Sequence, residues 1–173
     1  VWSAVLETLA EVHGLVEETA DRPRLEKFAL KILGRIAGIV RHHEAPNESH
    51  TNQLLRDVIL DAYELYGSQA TTEWALDVFR NHISGWKPLN PNLRGAVYNI
   101  VARLNLGSLH RELQQRYEKA ELHEERVRLL NALGHVSADE MMSDLRDYTF
   151  NSGKVRTGDV PEVLSSLGSH AAG

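Results

Sequence analysis

Apolar residues recur along this chain with the period of an α-helix almost from its first position. From Trp2 they fall at Val5, Leu6, Leu9, Val12 and Val16, a spacing that lays one stripe along a helix. The stripe predicts a first helix from Trp2 to about Ala20. Pro23 suits the first turn of a second, where its missing N–H leaves no bond unmade. Leu25, Phe28, Ala29, Ile32, Leu33 and Ile36 form that helix's expected buried face, and it runs to about Val40. Arg41 to Ser49 is polar and holds a proline, so it reads as a loop, with Asn47 or Ser49 as the N-cap of helix three.

Helix three is marked by Leu54, Leu55, Val58, Ile59, Ala62, Tyr63 and Tyr66, and Gly67 is placed to stop it. Thr71 or Thr72 is the expected cap of helix four, which carries Trp74, Ala75, Val78, Phe79 and Ile83 and closes at Gly85. Trp86 to Pro91 contains two prolines, which confine their predecessors to extended backbone. It therefore links helices rather than continuing one. Helix five follows with Leu93, Val97, Tyr98, Val101 and Leu104; Gly107 separates it from helix six, with Leu109, Leu113, Tyr117 and Ala120.

Helix seven starts near Glu124, uses Val127, Leu130 and Leu133, and ends at Gly134. Ser137 and Glu140 have capping-box spacing, which predicts the start of helix eight. Met141, Met142, Leu145, Tyr148 and Phe150 lie along it. Asn151 to Gly153 end it, and Asp159 with Pro161 opens a ninth helix that reaches Leu167.

No stretch alternates with period two long enough to be a strand. Short connections make successive helices antiparallel neighbours, and pairs starting near Ser49, Asn90 and His123 have similar lengths, so an all-α array of helix pairs is expected. A closed bundle of the same helices fits the same pattern.

Composition narrows the function more than the fold. The 173 residues carry a formal charge of -5, with 24 acids interleaved among the Lys and Arg. Nucleic-acid binding, which needs clustered cations, is not expected. The chain has no cysteine, which excludes disulfides, thiolate metal sites and a cysteine nucleophile and is compatible with a reducing compartment such as the cytoplasm. No apolar run approaches the roughly 20 residues that span a membrane. The chain begins Val1-Trp2-Ser3, already inside a helical pattern, and is expected to be a piece of a longer protein.

Candidate chemistry is sparse. His42, His43, Glu44 and His50 are the best histidine cluster, but they sit on a proline-containing loop without the spacing of common zinc sites. The string from His123 begins like HExxH, yet the second histidine's place is taken by Val127, so one turn carries a single imidazole. No nucleophile elbow or phosphate-binding glycine loop is present. Catalytic and metal-ligating residues are therefore expected to be absent.

What does recur, about once per helix pair, is an arginine beside Leu or Val: Arg56, Arg94, Arg128 and Arg156. Such a ladder can line a groove and attract carboxylates through its guanidinium forks. The structural alternative is pairing with Asp57, Glu125, Asp159 or helix C-terminal carbonyls, and this reading is preferred. Trp2, Trp74 and Trp86 suggest packing, with no pocket in common.

Five segments together carry a resemblance: LLRDVILDAYELYG, ALDVFRNHISG, NPNLRGAVYNIVARLN, RYEKAELHEERVRLLNALG and SGKVRTGDVPEVLSSLG, in this order and spacing. The chain resembles the C-terminal helical-repeat domain of zinc aminopeptidases related to puromycin-sensitive aminopeptidase, the endoplasmic-reticulum aminopeptidases and the tricorn-interacting factors. The likeness covers nearly the whole chain. It departs at RIAGIVRHHEAPNESH, where many relatives carry a leucine, glycine and tryptophan before the loop.

The resemblance implies a HEAT-like antiparallel helix-pair superhelix that forms one domain and caps the active site of a zinc aminopeptidase. Catalysis, with GAMEN, HExxH and a downstream glutamate, would lie in a separate domain; zinc is expected there and no cofactor here. The implied partners are peptide substrates and the catalytic domain of the same chain, with Arg94, Tyr98, Arg128 and Arg156 as the substrate-facing candidates. An independent α-solenoid scaffold is the alternative. The last helix is expected to expose Val163, Leu164 and Leu167 and to promote self-association or disorder near the C-terminus, because solenoids need polar end caps.

Overall fold

The computed structural model describes residues 2–43 and 48–168. Among these, nine α-helices form an α-α superhelix with no strand: α1 (Trp2–Val16), α2 (Arg22–Val40), α3 (His50–Leu65), α4 (Gln69–Ile83), α5 (Arg94–Arg103), α6 (Gly107–Lys119), α7 (His123–Leu133), α8 (Asp139–Asn151) and α9 (Val160–Gly168). Single 3-10 turns, Pro91–Leu93 and Thr157–Asp159, lead into α5 and α9. None of the described helices is long and apolar enough to cross a membrane.

The predicted helices are all present, and several of their ends are made differently. Ser49 caps α3 as expected, its side chain accepting from the Asn52 N–H at 3.2 Å; Asn47 lies outside the described residues. Gly67 stops α3 in the left-handed region, with φ 102°. α1 ends at Val16, earlier than its stripe implies, and the Thr19 hydroxyl turns back to the Val16 carbonyl at 2.9 Å. Helix four is capped neither by Thr71 nor by Thr72: it starts after Ser68, and Thr71 is buried in its first turn with its hydroxyl 2.9 Å from that of Ser68. Gly107, read as a separator, is the first residue of α6.

The Ser137–Glu140 capping box does not form. Asn105, in the turn between α5 and α6, accepts from the Ser137 N–H at 2.9 Å and the Ala138 N–H at 3.0 Å. The α8 start is thus capped by a side chain from another turn. Asn105 holds φ 51° to do so, a conformation that asparagine tolerates better than most residues.

Burial follows the stripes except at their edges. Leu9, Ala29, Leu33, Val40, Ile59 and Tyr66 form one core. A larger one runs from Leu60 through Phe79, Val97, Tyr98, Leu113, Leu130 and Leu145 to Val163. Adjacent residues Ile59 and Leu60 face different cores, so α3 is a wall shared by both. Phe28, expected inside, is exposed, and Phe150 and Leu164 are also at the surface. Val163 is buried at 1%, which corrects its expected exposure on the last helix.

The pairing register is shifted by one helix. The closest consecutive partners are α2 with α3, α4 with α5, and α6 with α7, rather than pairs beginning at α3, α5 and α7. Between pairs, α3, α5, α7 and α9 lie against one another in sequence. The even helices bridge with long side chains: the Tyr148 hydroxyl of α8 reaches the Gln114 carbonyl and the Glu118 carboxylate of α6, each at 3.3 Å. Alternation puts the connections 84–93, 120–122 and 152–159 on one edge of the array, with the end of α2 and the start of α3.

Candidate functional site

The residues singled out in the sequence gather on that edge. Asn90 opens the approach to α5 by accepting from the Asn92 N–H at 2.8 Å, and Pro91 begins the 3-10 turn. Leu93 and Val97 then face the core, which sets the direction of Arg94 and Tyr98 one helical turn apart. Tyr98 is fully buried, its ring edge-on to Phe79 at 6.1 Å. Its hydroxyl donates to Glu125 at 2.7 Å. The side chain therefore has no surface to offer a peptide and serves to hold Glu125.

Glu125, on the first turn of α7, is the hub. Arg94 lies 3.1 Å from its other carboxylate oxygen and also donates to the Leu89 carbonyl at 3.4 Å. Arg128 approaches the same oxygen at 3.5 Å and Glu124 at 3.9 Å. Burial pushes the Glu125 carboxyl up, but the hydrogen bonds from Tyr98 and Arg94 outweigh it and hold the group below its ordinary value. Burial and the Glu125 carboxylate push the Tyr98 phenol up. Arg94 and Arg128 thus stand in one charge network, with Arg128 the more exposed.

Arg156 and Arg56 stand apart from this network. Arg156 lies on the connection before α9, where its N–H donates to the Tyr117 hydroxyl at 3.2 Å and Tyr117 donates to buried Asp159 at 3.0 Å. Its guanidinium is exposed and forms no ion pair among the described residues. Arg56 is 1% exposed. It donates to the Val40 carbonyl at 2.8 Å and the Arg41 carbonyl at 3.0 Å and pairs with Glu48. One member of the arginine ladder is therefore a clamp on the end of α2.

Beside the Glu125 hub a pocket of about 300 Å³ is lined by His82, Arg94, Glu112, Gln115, Arg116 and Lys119, among others. His82 and Arg116 carried no signal in the sequence; they meet only because α4 and α6 are side by side. A second pocket, about 620 Å³, contains His42, His43 and Trp74, with the His42 ring stacked on Trp74 at 4.9 Å. Trp86, near it in sequence, is 83% exposed. Among the described residues no three His, Asp or Glu side chains are grouped as metal ligands; Glu44 lies outside them. The described residues do not fit a resident zinc.

The geometry is that of a superhelix with a charged edge, and comparison with known proteins gives it a family. A family model for the ERAP1-like C-terminal domain matches residues 1–173. The chain belongs to that family.

Relatives of this ERAP1-like domain include Aminopeptidase M1-A of Oryza sativa subsp. japonica, 26% identical over 97% of the chain and 20% of the relative. Aminopeptidase 2 of Candida albicans is 20% identical over 100% of the chain and 19% of its own length. Puromycin-sensitive aminopeptidase of Caenorhabditis elegans is 20% identical over 92% and 17%. The ERAP1-like chain spans about a fifth of the length of these relatives.

Proposed function

We propose that the chain is a single, non-catalytic helical-repeat domain of a zinc aminopeptidase, that it walls the active site of the catalytic domain, and that its charged edge meets peptide substrate. The carrying observation is the match to the ERAP1-like C-terminal domain over residues 1–173. The edge supports the peptide-facing part: Arg94 and Arg128 share one half-buried carboxylate, and Arg156 projects from the next connection along. Guanidinium groups steadied in this way lose little freedom on meeting a peptide carbonyl or carboxylate. Zinc and the residues that polarise the scissile bond belong to the catalytic domain in this reading.

Two measurements test it. The 173-residue chain is expected to release no amino acid from peptide amides above background; zinc-dependent turnover sensitive to substitution would overturn the non-catalytic assignment. In the longer protein, Arg128→Gln is expected to raise KM for long peptides and leave a single-residue amide unaffected. An equal effect on both substrates would remove the peptide-facing role.

A further inference from the structure

The pocket beside Glu125 contains a hydrogen-bonding conflict. The Leu89 N–H donates to His82 Nδ1 at 3.2 Å, while Arg116 Nη1 lies 3.4 Å from His82 Nε2. A neutral imidazole has one acceptor nitrogen, so it cannot serve both donors. Leu89 is 5% exposed and its backbone donor has no other partner among the described residues, whereas the guanidinium has several N–H groups. Nδ1 is therefore the acceptor and Nε2 carries the proton. Two donors, His82 Nε2–H and Arg116 Nη1–H, then face each other without an acceptor between them.

Every neighbouring carboxylate is committed elsewhere or badly aimed. Glu125 serves Tyr98, Arg94 and Arg128. Glu112 approaches Arg116 Nε at 3.0 Å, but the direction does not make a hydrogen bond, and that buried Nε has no hydrogen-bond partner among the described residues. Lys119, also in the lining, forms no ion pair among the described residues. Arg94, Arg116 and Lys119 face Glu112 and Glu125, which leaves one positive charge unmatched. Burial, together with Arg116 and Arg94, holds His82 below its ordinary value, with Glu125 opposing.

We propose that this pocket is a carboxylate-binding site, in which one oxyanion accepts from His82 Nε2–H and from the Arg116 guanidinium while Lys119 balances its charge. A single carboxylate matches the one unpaired positive charge, and charge-assisted hydrogen bonds to an oxyanion are the strong kind. The carboxylate comes either from an acidic side chain of a bound peptide or from a small free acid. The peptide source rests on the peptide-facing reading above; the site itself does not.

The test is histidine-resolved NMR on the 173-residue chain. The unliganded protein is expected to show His82 as the Nε2–H tautomer. Sodium acetate, compared with sodium chloride at equal ionic strength, is expected to shift the His82 resonances saturably and raise its pKa. Arg116→Gln should weaken that response about tenfold, the loss expected for one charged hydrogen bond. An Nδ1–H tautomer in the wild-type chain, or a shift that chloride reproduces, overturns the proposal without relying on any variant.

The source is separated by comparing acetylated, amidated Ala-Glu-Ala with its Gln counterpart. A Glu peptide that binds more tightly than acetate assigns the carboxylate to peptide; acetate or succinate binding as tightly or better assigns it to a free acid. A negative acetate titration beside an intact Arg128 effect on long peptides rejects the pocket and keeps the domain reading. The reverse pair of results keeps the pocket and rejects peptide contact at this edge.

Discussion

The seam between α3 and α5 and the seam between α7 and α9 join the same layer of helices by opposite means. At the first, Asp57, Asp61 and Glu64 of α3 face α5: Asp57 accepts from the Ala96 N–H at 2.8 Å, Asp61 from Asn99 at 2.9 Å, and Arg103 pairs with Asp61 and with Glu64, the latter at 2.8 Å. At the second, an ideal Cβ on Gly134 would stand 2.4 Å from Ser166 Cβ, so the chains touch where a side chain is missing. The Ser166 hydroxyl donates to the Asn131 carbonyl at 2.6 Å beside that contact. A directed polar ladder fixes register at one seam, and steric fit fixes distance at the other.

The polar seam should break hardest when its shared cation is removed. Arg103→Ala leaves two largely buried carboxylates facing each other and is expected to cost about 3 kcal/mol, read from urea denaturation. A loss below about 1 kcal/mol, the scale of an exposed pair, would mean that the ladder is a surface feature. At the steric seam, Gly134→Val forces α9 away and should cost about 2 kcal/mol. Ser166→Gly in the same chain should return part of that loss. If the double variant is as unstable as the sum of the two, close approach is not what holds α9.

Asp57 sharpens the comparison, since it is a polar contact with a cost. Burial pushes its carboxyl up to about 6 from 3.8, opposed by the Ala96 N–H and Arg128 and reinforced by Asp61. The unfolded group ionises first as pH rises, so the folded state binds the extra proton between these values, and stability contributed here falls as pH rises through that window. Asp57→Asn keeps an acceptor for the Ala96 N–H without the charge. It is expected to stabilise by about 1–2 kcal/mol at pH 8, with the gain fading below pH 6 and absent near pH 4. A pH-independent effect would show that the carboxyl is not desolvated. The smallest effect is expected at Asn105→Ala, where loss of the cap on α8 costs about 1 kcal/mol; an unchanged urea midpoint would show that α8 does not need it.

These seams explain how far the sequence could be read. Helix existence was legible because each helix buries one stripe, and a stripe is local information. Caps made within three or four residues, such as Ser49, were legible for the same reason. The cap from Asn105, 32 residues from Ser137, was not, because nothing near Ser137 records which turn will lie beside it. The acidic row on α3 has helical spacing, yet it reads equally well as a solvated face until α5 is placed against it.

The arginines divide in the same way. Arg94 and Arg128 were found through a recurring motif, and Glu125 as one of the acids such arginines could pair with. The burial of Tyr98 was half visible, since one turn from Arg94 on a helix start is close to both core and edge. His82 and Arg116 are 34 positions apart and share no motif. Their conflict over one ring nitrogen exists only after two helices that are not consecutive have come together.

The two layers of the superhelix also differ in compliance. At the α7–α9 seam two odd helices meet at atom contact, Gly134 against Ser166, which resists compression as soon as atoms touch. The even helices meet through Tyr148 to α6 and Arg116 to α4, long side chains that can follow a change in spacing by altering rotamers. The even layer therefore has side-chain slack that the contact of Gly134 with Ser166 lacks. Arg94, Tyr98 and Glu125, tied by one hydrogen bond and one ion pair, belong to the tighter layer, whereas the approach of Arg116 to His82 at 3.4 Å spans the slacker one.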